Sequence, residues 1–423
     1  MIKRSIFLII GALCIFRVAA QSPYCTSNTR FTELPFFSAT DIISDTGVVY
    51  GSALSYQGNT QILKLNIFYP NLALDTFSKR PLIVLLHGGG FINGTLKGLN
   101  NECIEFAKRG FVAATVEYRL GWNYGTSGCG GDPASQRLAV YRGIQDEHAA
   151  IRYLVANANT YKIDTAWIFA GGNSAGSFAS VNLAFVSQQA MNIAYPDLQQ
   201  TLGDINASGN SLTNTFSLKG LYHNWGSILD INAINSNNAI PLVGFAGDQD
   251  NISPIDSGYW RGCTNYTLTW GSRAIYNKLT SFGVCADLSV QLGSGHGVWK
   301  DTPAQDLFRI QRATCFFKSL FCNTCATSYL TDSIPANCSM NTTSIESGYS
   351  TQTTKIFPNP FSNKIIYQNS GAKQVSFKLL NSLGSIVWKG NHIEQQDFSA
   401  LPSGIYFLEI EDSNHKQVVK LAK

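Results

Sequence analysis

The stretch IFAGGNSAGSFAS at residues 168–180 decides the fold. A short apolar run ends in glycines, Ser174 stands between Gly172 and Gly176, and a helix of small residues begins directly after it. A G-x-S-x-G pattern between a strand and a helix forms a strained turn that lifts the serine hydroxyl out of the sheet. In this strand-to-helix context, the stretch favours a nucleophilic serine over an ordinary glycine-rich turn.

Apolar strands and amphipathic helices alternate on both sides of this turn, from about residue 45 to 325. Typical strands are RPLIVLL (80–86), FVAATV (111–116) and IPLVGFAG (240–247), and a long helical pattern runs from about 134 to 158. Continuous apolar strands separated by helices indicate a mostly parallel sheet that is covered on both faces. We therefore predict an α/β fold that binds its ligand at the carboxyl ends of the strands.

A second glycine motif, HGGGF at residues 87–91, follows one of these strands. Three consecutive glycines let the backbone aim its N–H groups at one point, which suits the negative oxygen formed during acyl transfer. We predict that Gly89 and Gly90 act as oxyanion-hole donors together with the N–H of Ala175. Gly88 is the alternative to Gly90.

A serine nucleophile needs a base, and the chain has six histidines. His296 follows the last apolar strand in the flexible loop GSGHG, which makes it the predicted base for Ser174, with His223 as the second choice. His87 belongs to the glycine turn and is predicted to brace it. His148 lies on the apolar stripe of the long helix, where a core position is expected.

The base in turn needs a carboxylate that fixes its tautomer. The segment GDQDNISP at 247–254 offers Asp248 and Asp250 at the end of a strand. Asp250 is favoured because it stands a few residues past the strand end and ahead of Pro254, while Asp248 remains the alternative. The chain order Ser, Asp, His is the order of the α/β-hydrolases.

The motifs HGGGF, VEYRLGW, GGNSAGS, GDQD and GSGHG resemble those of α/β-hydrolase carboxylesterases of the hormone-sensitive-lipase and type-B groups. The resemblance covers roughly 280 residues and implies an α/β-hydrolase fold and a serine carboxylesterase that needs neither metal nor organic cofactor. One departure is Asn173, because these groups usually have an acidic residue before the serine.

The amino terminus reads as a signal peptide over residues 1–20, with a basic start, a short apolar run and small residues before the cut. Its removal takes away Lys3, Arg4 and Arg17 and lowers the formal charge from +4 to +1. The remaining chain has no basic stripe, which excludes nucleic acid as an expected partner. No later run is long and apolar enough for a transmembrane helix.

Nine of the ten cysteines lie after the predicted signal peptide. Export makes disulfide bonds the expected state, and the odd number leaves one thiol free or paired with another chain. Cys322 and Cys325 form a C-x-x-C, but no second pair with zinc spacing follows them. We expect them to be disulfide-bonded near the end of the first domain, with partners that the sequence does not identify.

The composition changes after Cys325. Residues 21–326 are predicted to be the catalytic domain, 327–353 a linker rich in Ser, Thr and Asn, and 354–423 a small all-β sandwich. The motifs FPNPF, LLNSLGSIVWKG and LPSGIYFLEI and the basic end KQVVKLAK resemble the C-terminal sorting domain of the Bacteroidetes type IX secretion system. This resemblance implies handling by that machinery and a secreted or surface-attached protein.

These observations predict a secreted serine carboxylic ester hydrolase with Ser174, His296 and Asp250 as its triad. Four tryptophans that could line the pocket favour aromatic or polymeric esters, such as feruloyl groups or polyesters: Trp122, Trp225, Trp260 and Trp299. Core packing is an equal alternative for each of them. The competing functions are a peptidase of the prolyl-oligopeptidase type and a non-catalytic, esterase-like adhesion protein.

Overall fold

The structure is a computed structural model, and it divides between Thr342 and Thr343 into two compact units. The predicted signal peptide lies outside the described residues. The described residues are 22–126, 128–331, 336, 338, 355–358, 360–368, 375–381, 385–411 and 416–423.

The described part of the first unit is built from twelve strands. They are β1 Ile42–Leu54, β2 Thr60–Pro70, β3 Arg80–Leu86, β4 Val112–Val116, β5 Ile163–Asn173, β6 Leu218–Asn224, β7 Ser227–Ile228, β8 Leu242–Gly247, β9 Ser257–Tyr259, β10 Leu268–Gly271, β11 Ala286–Gln291 and β12 Ser328–Leu330.

Nine of these strands form one sheet in the order β1-β2-β4-β3-β5-β6-β8-β11-β12. The two junctions β1–β2 and β2–β4 are antiparallel, and every later neighbour is parallel. The remaining three strands form a small sheet in the order β7-β10-β9. The predicted α/β fold with a mostly parallel central sheet is therefore confirmed.

Eight α-helices accompany these strands within the described residues. They are α1 Asn100–Lys108, α2 Pro133–Ala156, α3 Ala158–Tyr161, α4 Ala175–Phe185, α5 Gln188–Ala194, α6 Pro196–Leu202, α7 Ser272–Ser281 and α8 Pro303–Phe321.

The start of the long helix α2 is marked in the sequence. The Asp132 carboxylate accepts hydrogen bonds from the N–H groups of Ala134 and Ser135, and Pro133 occupies the first helical position. At the start of α8, the Thr302 hydroxyl accepts the N–H of Gln305, and Pro303 occupies the first helical position.

The central strands are buried on both faces. Every residue of β3 and β4 is buried. Alternate residues of these strands join two different apolar clusters: Leu82 and Val84 face one that includes α2 and α4, and Ile83 and Leu85 face one that includes α1 and α8. This alternation is why the strands read as continuous apolar runs, since each face is covered by helices.

Four disulfide bonds tie the first unit together: Cys25–Cys322, Cys129–Cys263, Cys285–Cys325 and Cys315–Cys338. Cys103 is the remaining cysteine of the described residues, and it is free and buried. The two cysteines of the C-x-x-C bond to different partners, as expected for structural cysteines at the end of the domain.

The structure differs from the predicted start of the linker. Residues Ser328–Leu330 pair in parallel with β11 and extend the central sheet, and Cys338 is bonded to Cys315 in α8. The first unit therefore continues past residue 326, because even a three-residue segment can pair through its backbone. The proposed limits of the linker and of the sorting domain otherwise stay predictions.

The described part of the second unit contains six strands: β13 Lys355–Phe357, β14 Ile366–Gln368, β15 Ser376–Asn381, β16 Ile386–Gly390, β17 Ile405–Glu411 and β18 Lys416–Ala422. The first two form an antiparallel pair, and the other four form an antiparallel sheet in the order β16-β15-β17-β18. A separate apolar core contains Phe361, Phe377 and Leu408. The separate C-terminal β region is confirmed.

Candidate active site

Ser174 lies at the turn between β5 and α4, with φ 52° and ψ −116°. Its N–H donates to the carbonyl of Asn224 at 2.9 Å, which ties the turn to the end of β6. A Cβ atom on Gly172 or Gly176 would lie only 2.1 or 2.0 Å from the carbonyl oxygen of Leu86. Both flanking positions therefore require glycine, because the turn packs directly against the backbone of β3.

Two successive hydrogen bonds connect this serine to the predicted base and the predicted acid. The Ser174 Oγ is 2.7 Å from His296 Nε2, and His296 Nδ1 is 2.8 Å from Asp250 Oδ2. The other oxygen of Asp250 accepts the N–H groups of Ile252 and Ser253 at 2.8 and 2.9 Å. These two bonds help to hold the carboxylate in position beside the imidazole.

Asp248 has a different partner. Its Oδ1 accepts the N–H of Gly293 at 2.6 Å, so it joins the end of β8 to the loop that precedes His296. The structure thus brings Asp250, and not Asp248, to the imidazole.

The other candidate histidines lie elsewhere. His223 is buried between the hydroxyls of Ser177 and Ser272 at 2.7 and 3.1 Å, and burial lowers its pKa to about 4. Burial likewise lowers the pKa of His148 to about 4. The His87 ring stacks on Tyr118, and its Nδ1 lies 2.7 Å from the Gly88 carbonyl oxygen. His87 therefore braces the glycine turn, as expected.

The glycine turn faces Ser174. Gly89 and Gly90 have φ values of +116° and +61°, which favour glycine. A Cβ on Gly89 would lie 2.0 Å from the Asn93 carbonyl oxygen, and one on Gly88 would lie 3.3 Å from the Ser174 Cβ. The motif thus folds into a tight loop directly beside the serine.

Three backbone N–H groups near the serine are available to a ligand. No hydrogen-bond acceptor for the N–H of Gly89, Gly90 or Ala175 is found within the described part of the chain. Ala175 is the first residue of α4, where helix geometry leaves the N–H without an internal acceptor and the helix dipole favours negative charge. The Trp122 indole N–H donates to the Gly90 carbonyl at 3.0 Å and steadies the loop from behind.

A buried polar network supports the turn from below, and the sequence reasoning missed it. The Asn173 side chain donates to Glu102 at 3.2 Å and accepts from Asn224 at 2.7 Å. Glu102 also accepts from Arg309 at 3.1 Å and from the Tyr222 hydroxyl at 3.3 Å. Asn173, which stands where the resembling groups have an acidic residue, thus contacts the buried Glu102 of α1, a contact that no local pattern could indicate.

An open cleft surrounds the serine and the histidine. Trp225, Trp260, Arg261 and Lys300 are among its lining residues. Two of the four predicted pocket tryptophans thus line the cleft. Trp122 packs behind Trp260 at 5.8 Å between ring centroids, whereas Trp299 is buried against Phe308. Trp122, Trp225 and Trp299 are each only 3–4% exposed and belong to the buried apolar clusters, so the core alternative applies to all three, and Trp225 also lines the cleft.

Comparison with known proteins identifies both units. Residues 65–244 match the family model BD-FAE, and residues 355–423 match the secretion system C-terminal sorting domain. Residues 65–244 therefore resemble an esterase-like domain, and residues 355–423 resemble a sorting domain. The second match indicates export, which places the protein outside the cell or on its surface. Within the described residues, no helix is long and apolar enough to span a membrane.

Curated relatives match less than a third of the chain. Gut esterase 1 of Caenorhabditis elegans is 33% identical over 134 residues, which are 30% of this chain and 21% of the relative. Bile salt-activated lipase of Bos taurus is 30% identical over 141 residues, or 31% and 22% of the two chains. The neuroligin-like protein glit-1 of C. elegans is 32% identical over 117 residues, or 27% and 15%. The chain thus spans about a fifth of the length of these relatives.

Solved structures with a similar fold include esterases. A thermophilic esterase of Thermogutta terrifontis with bound propionate has a TM-score of 0.46 and 18% identity, and the match covers 68% of this chain and 97% of that one. Esterase B of Lactobacillus rhamnosis, inhibited by a tributyrin phosphonate, has a TM-score of 0.43 and 17% identity, with coverages of 66% and 86%.

Proposed function

We propose that the protein is a secreted serine carboxylesterase that uses Ser174, His296 and Asp250. The observation that carries this proposal is the unbroken hydrogen-bonded chain from the Ser174 hydroxyl through His296 to Asp250, at 2.7 and 2.8 Å, beside unpaired backbone N–H groups. Nucleophile, base, orienting acid and oxyanion donors are the complete set that acyl transfer requires.

Each residue has one task in this mechanism. His296 Nε2 takes the proton of Ser174 as Oγ attacks the ester carbonyl, and Asp250 stabilises the imidazolium that forms. The N–H groups of Gly89, Gly90 and Ala175 receive the negative oxygen of the tetrahedral intermediate. His296 then protonates the leaving alcohol. A water molecule repeats the sequence on the acyl-enzyme and releases the acid.

We also propose that the preferred substrates are aromatic or polymeric esters, of the feruloyl or polyester kind. Trp225 and Trp260 are among the residues that line the cleft beside Ser174, and the small exposed part of each ring, 3% and 9%, is apolar surface for such groups. An open cleft suits a chain that is too large to enter a closed pocket, and export brings the enzyme to substrates that the cell cannot import.

The competing function is a non-catalytic adhesion protein, since one curated relative is described as neuroligin-like. An adhesion protein needs no aligned nucleophile, and the intact hydrogen-bonded chain at Ser174 therefore favours catalysis.

The test is hydrolysis of p-nitrophenyl esters of short and long acids by the full-length secreted protein, beside Ser174→Ala. The triad accounts for most of the rate, so we expect the variant to lose at least ~10³-fold in kcat while keeping its melting temperature. A folded wild type that hydrolyses none of the esters would support the adhesion function instead. Activity that survives in the variant would exclude Ser174 as the nucleophile.

A further inference from the structure

Arg261 stands at the rim of the candidate cleft in a strained conformation. It lines the cleft beside Trp260 and is exposed. Its φ of 58° and ψ of 21° lie in the left-handed region, which a residue with a long side chain seldom adopts. Its N–H donates to the Ile252 carbonyl at 2.8 Å, and Cys263, two residues on, is bonded to Cys129. The backbone around Arg261 is thus held against its own preference, as happens at functional positions.

The Arg261 guanidinium has no ion-pair partner among the described residues. A guanidinium presents a planar fork of donors that matches a carboxylate in two parallel hydrogen bonds. Held at the rim and unpaired, it is available to a group on the substrate.

Lys300 provides a second cation on the same cleft. A Cβ atom on Gly297 would lie 2.2 Å from the Lys300 Cε, so the lysine side chain crosses directly over the residue that follows His296. Its ammonium is 3.6 Å from Asp301, a side chain that is 75% exposed. Such an exposed pair is weak and leaves the lysine free to exchange partners.

Apart from the exposed Asp301, no acidic group of the described residues forms an ion pair with either cation. No Asp or Glu belongs to the described residues that line the cleft. Asp250 is 6% exposed and engaged by His296 and two backbone N–H groups. Glu117 lines an adjoining hollow, where burial raises its pKa. The cleft that holds the serine therefore has a net positive lining.

We propose that the esterase acts on substrates that carry a free carboxylate beside the ester bond, which Arg261 and Lys300 bind. This inference rests on the proposed carboxylesterase function and names its substrate class. A polymeric ester fits this description, because each bond already cut leaves a carboxylate on the chain close to the next ester.

Two matched ester pairs test the proposal. For a charge on the alcohol side, 4-acetoxybenzoate is compared with the neutral 4-acetoxybenzamide. For a charge on the acid side, the mono-4-nitrophenyl ester of terephthalic acid is compared with 4-nitrophenyl 4-carbamoylbenzoate. The readout is the ratio of kcat/KM for the anionic member to that for the neutral member, so that changes shared by both members cancel.

The variants are Arg261→Gln, Lys300→Gln and the double variant. Lys219→Gln is the control, because Lys219 is an exposed lysine at the opposite end of β6 from the active site. Lys219 lies near the start of that strand, and the Ser174 turn is hydrogen-bonded to its end. In at least one pair, we expect each cleft variant to lower the ratio about two- to fivefold, which is the range for one exposed charge interaction. We expect the control to match the wild type. Raising the salt from about 0.02 to 0.5 M should lower the wild-type ratio in the same direction.

An unchanged ratio in the double variant, for both pairs, would overturn the inference while leaving the esterase intact. An equal fall in the Lys219 variant would also overturn it, because general charge and not the cleft would then be responsible. If the folded wild type hydrolyses none of the four esters, or if Ser174→Ala still hydrolyses them, the proposed function is wrong. This inference is then wrong as well, because it rests on that function.

Discussion

Glu147 makes the stability of the esterase-type domain depend on pH. It lies on α2, is fully buried, and accepts a hydrogen bond from the Ser180 hydroxyl of α4 at 2.6 Å. Its second oxygen has no partner within the described residues. Burial raises the pKa of this carboxyl to about 8. At neutral pH the folded protein therefore keeps Glu147 protonated, whereas the unfolded chain ionises it near pH 4.5.

The direction of the effect follows from proton binding. Between about pH 4.5 and 8 the folded state binds more protons at this site than the unfolded state, so the free energy of unfolding falls as the pH rises. With those two pKa values, the loss between pH 5 and pH 9 is about 4 kcal/mol. Glu147→Gln keeps the size and a hydrogen-bonding amide but cannot ionise. The variant should therefore lack this loss.

Urea unfolding at a series of pH values between about 5 and 9 measures the difference. Intrinsic fluorescence follows the esterase-type domain, because six of the seven tryptophans precede residue 343. We expect the unfolding free energy of the variant to exceed that of the wild type increasingly as the pH rises. Parallel curves for the two proteins would refute the reasoning, since Glu147 would then titrate alike in both states.

Three further predictions use matched changes. Asp250→Asn should lower kcat by ~10³–10⁴-fold, because it leaves the imidazole in the wrong tautomer. Asp248→Asn, the control, should change kcat by less than about threefold. Equal losses of kcat in the two variants would contradict the assignment of Asp250 as the acid. Glu102→Gln should lower the unfolding free energy by about 1.5–3 kcal/mol in urea titrations, because it removes one of the two carboxylates that pair with the buried Arg309 guanidinium and leaves only Asp306, and an unchanged midpoint would argue against the network. Replacing Cys129 and Cys263 by Ser should lower the unfolding free energy by about 2–4 kcal/mol, because the disulfide bond constrains the unfolded chain. Calorimetry measures this change, and a variant that melts at the wild-type temperature would show that the bond does not constrain the unfolded chain.

Part of the site could be predicted because it depends on local features of the sequence. The turn at Ser174 needs glycine where the chain touches β3, and the glycine loop needs positive φ. His296 and Asp250 follow strand ends, and parallel strands bring such ends to one edge of the sheet. The structure brings these predicted residues together, while their catalytic roles stay predictions.

What the sequence did not indicate depends on contacts between distant segments. Glu102 reaches Asn173 from a helix 71 residues earlier in the chain, and Arg309 reaches Glu102 across 207 residues. The sequence also could not show that Trp299 is buried, because a tryptophan beside a catalytic loop can either line a pocket or pack in the core. The strand at 328–330 has only three residues, too few for their pattern to distinguish it from a linker.

The bond between Cys25 and Cys322 joins positions 297 residues apart and closes nearly the whole esterase-type domain into a covalent ring. A protein outside the cell meets proteases, and a single cut anywhere between these two cysteines cannot release a fragment. The cut chain would migrate as one species on a non-reducing gel and as two after reduction. Damage to a surface loop thus leaves the two halves of the sheet tethered, and the enzyme can survive a nick that would dismantle an open chain.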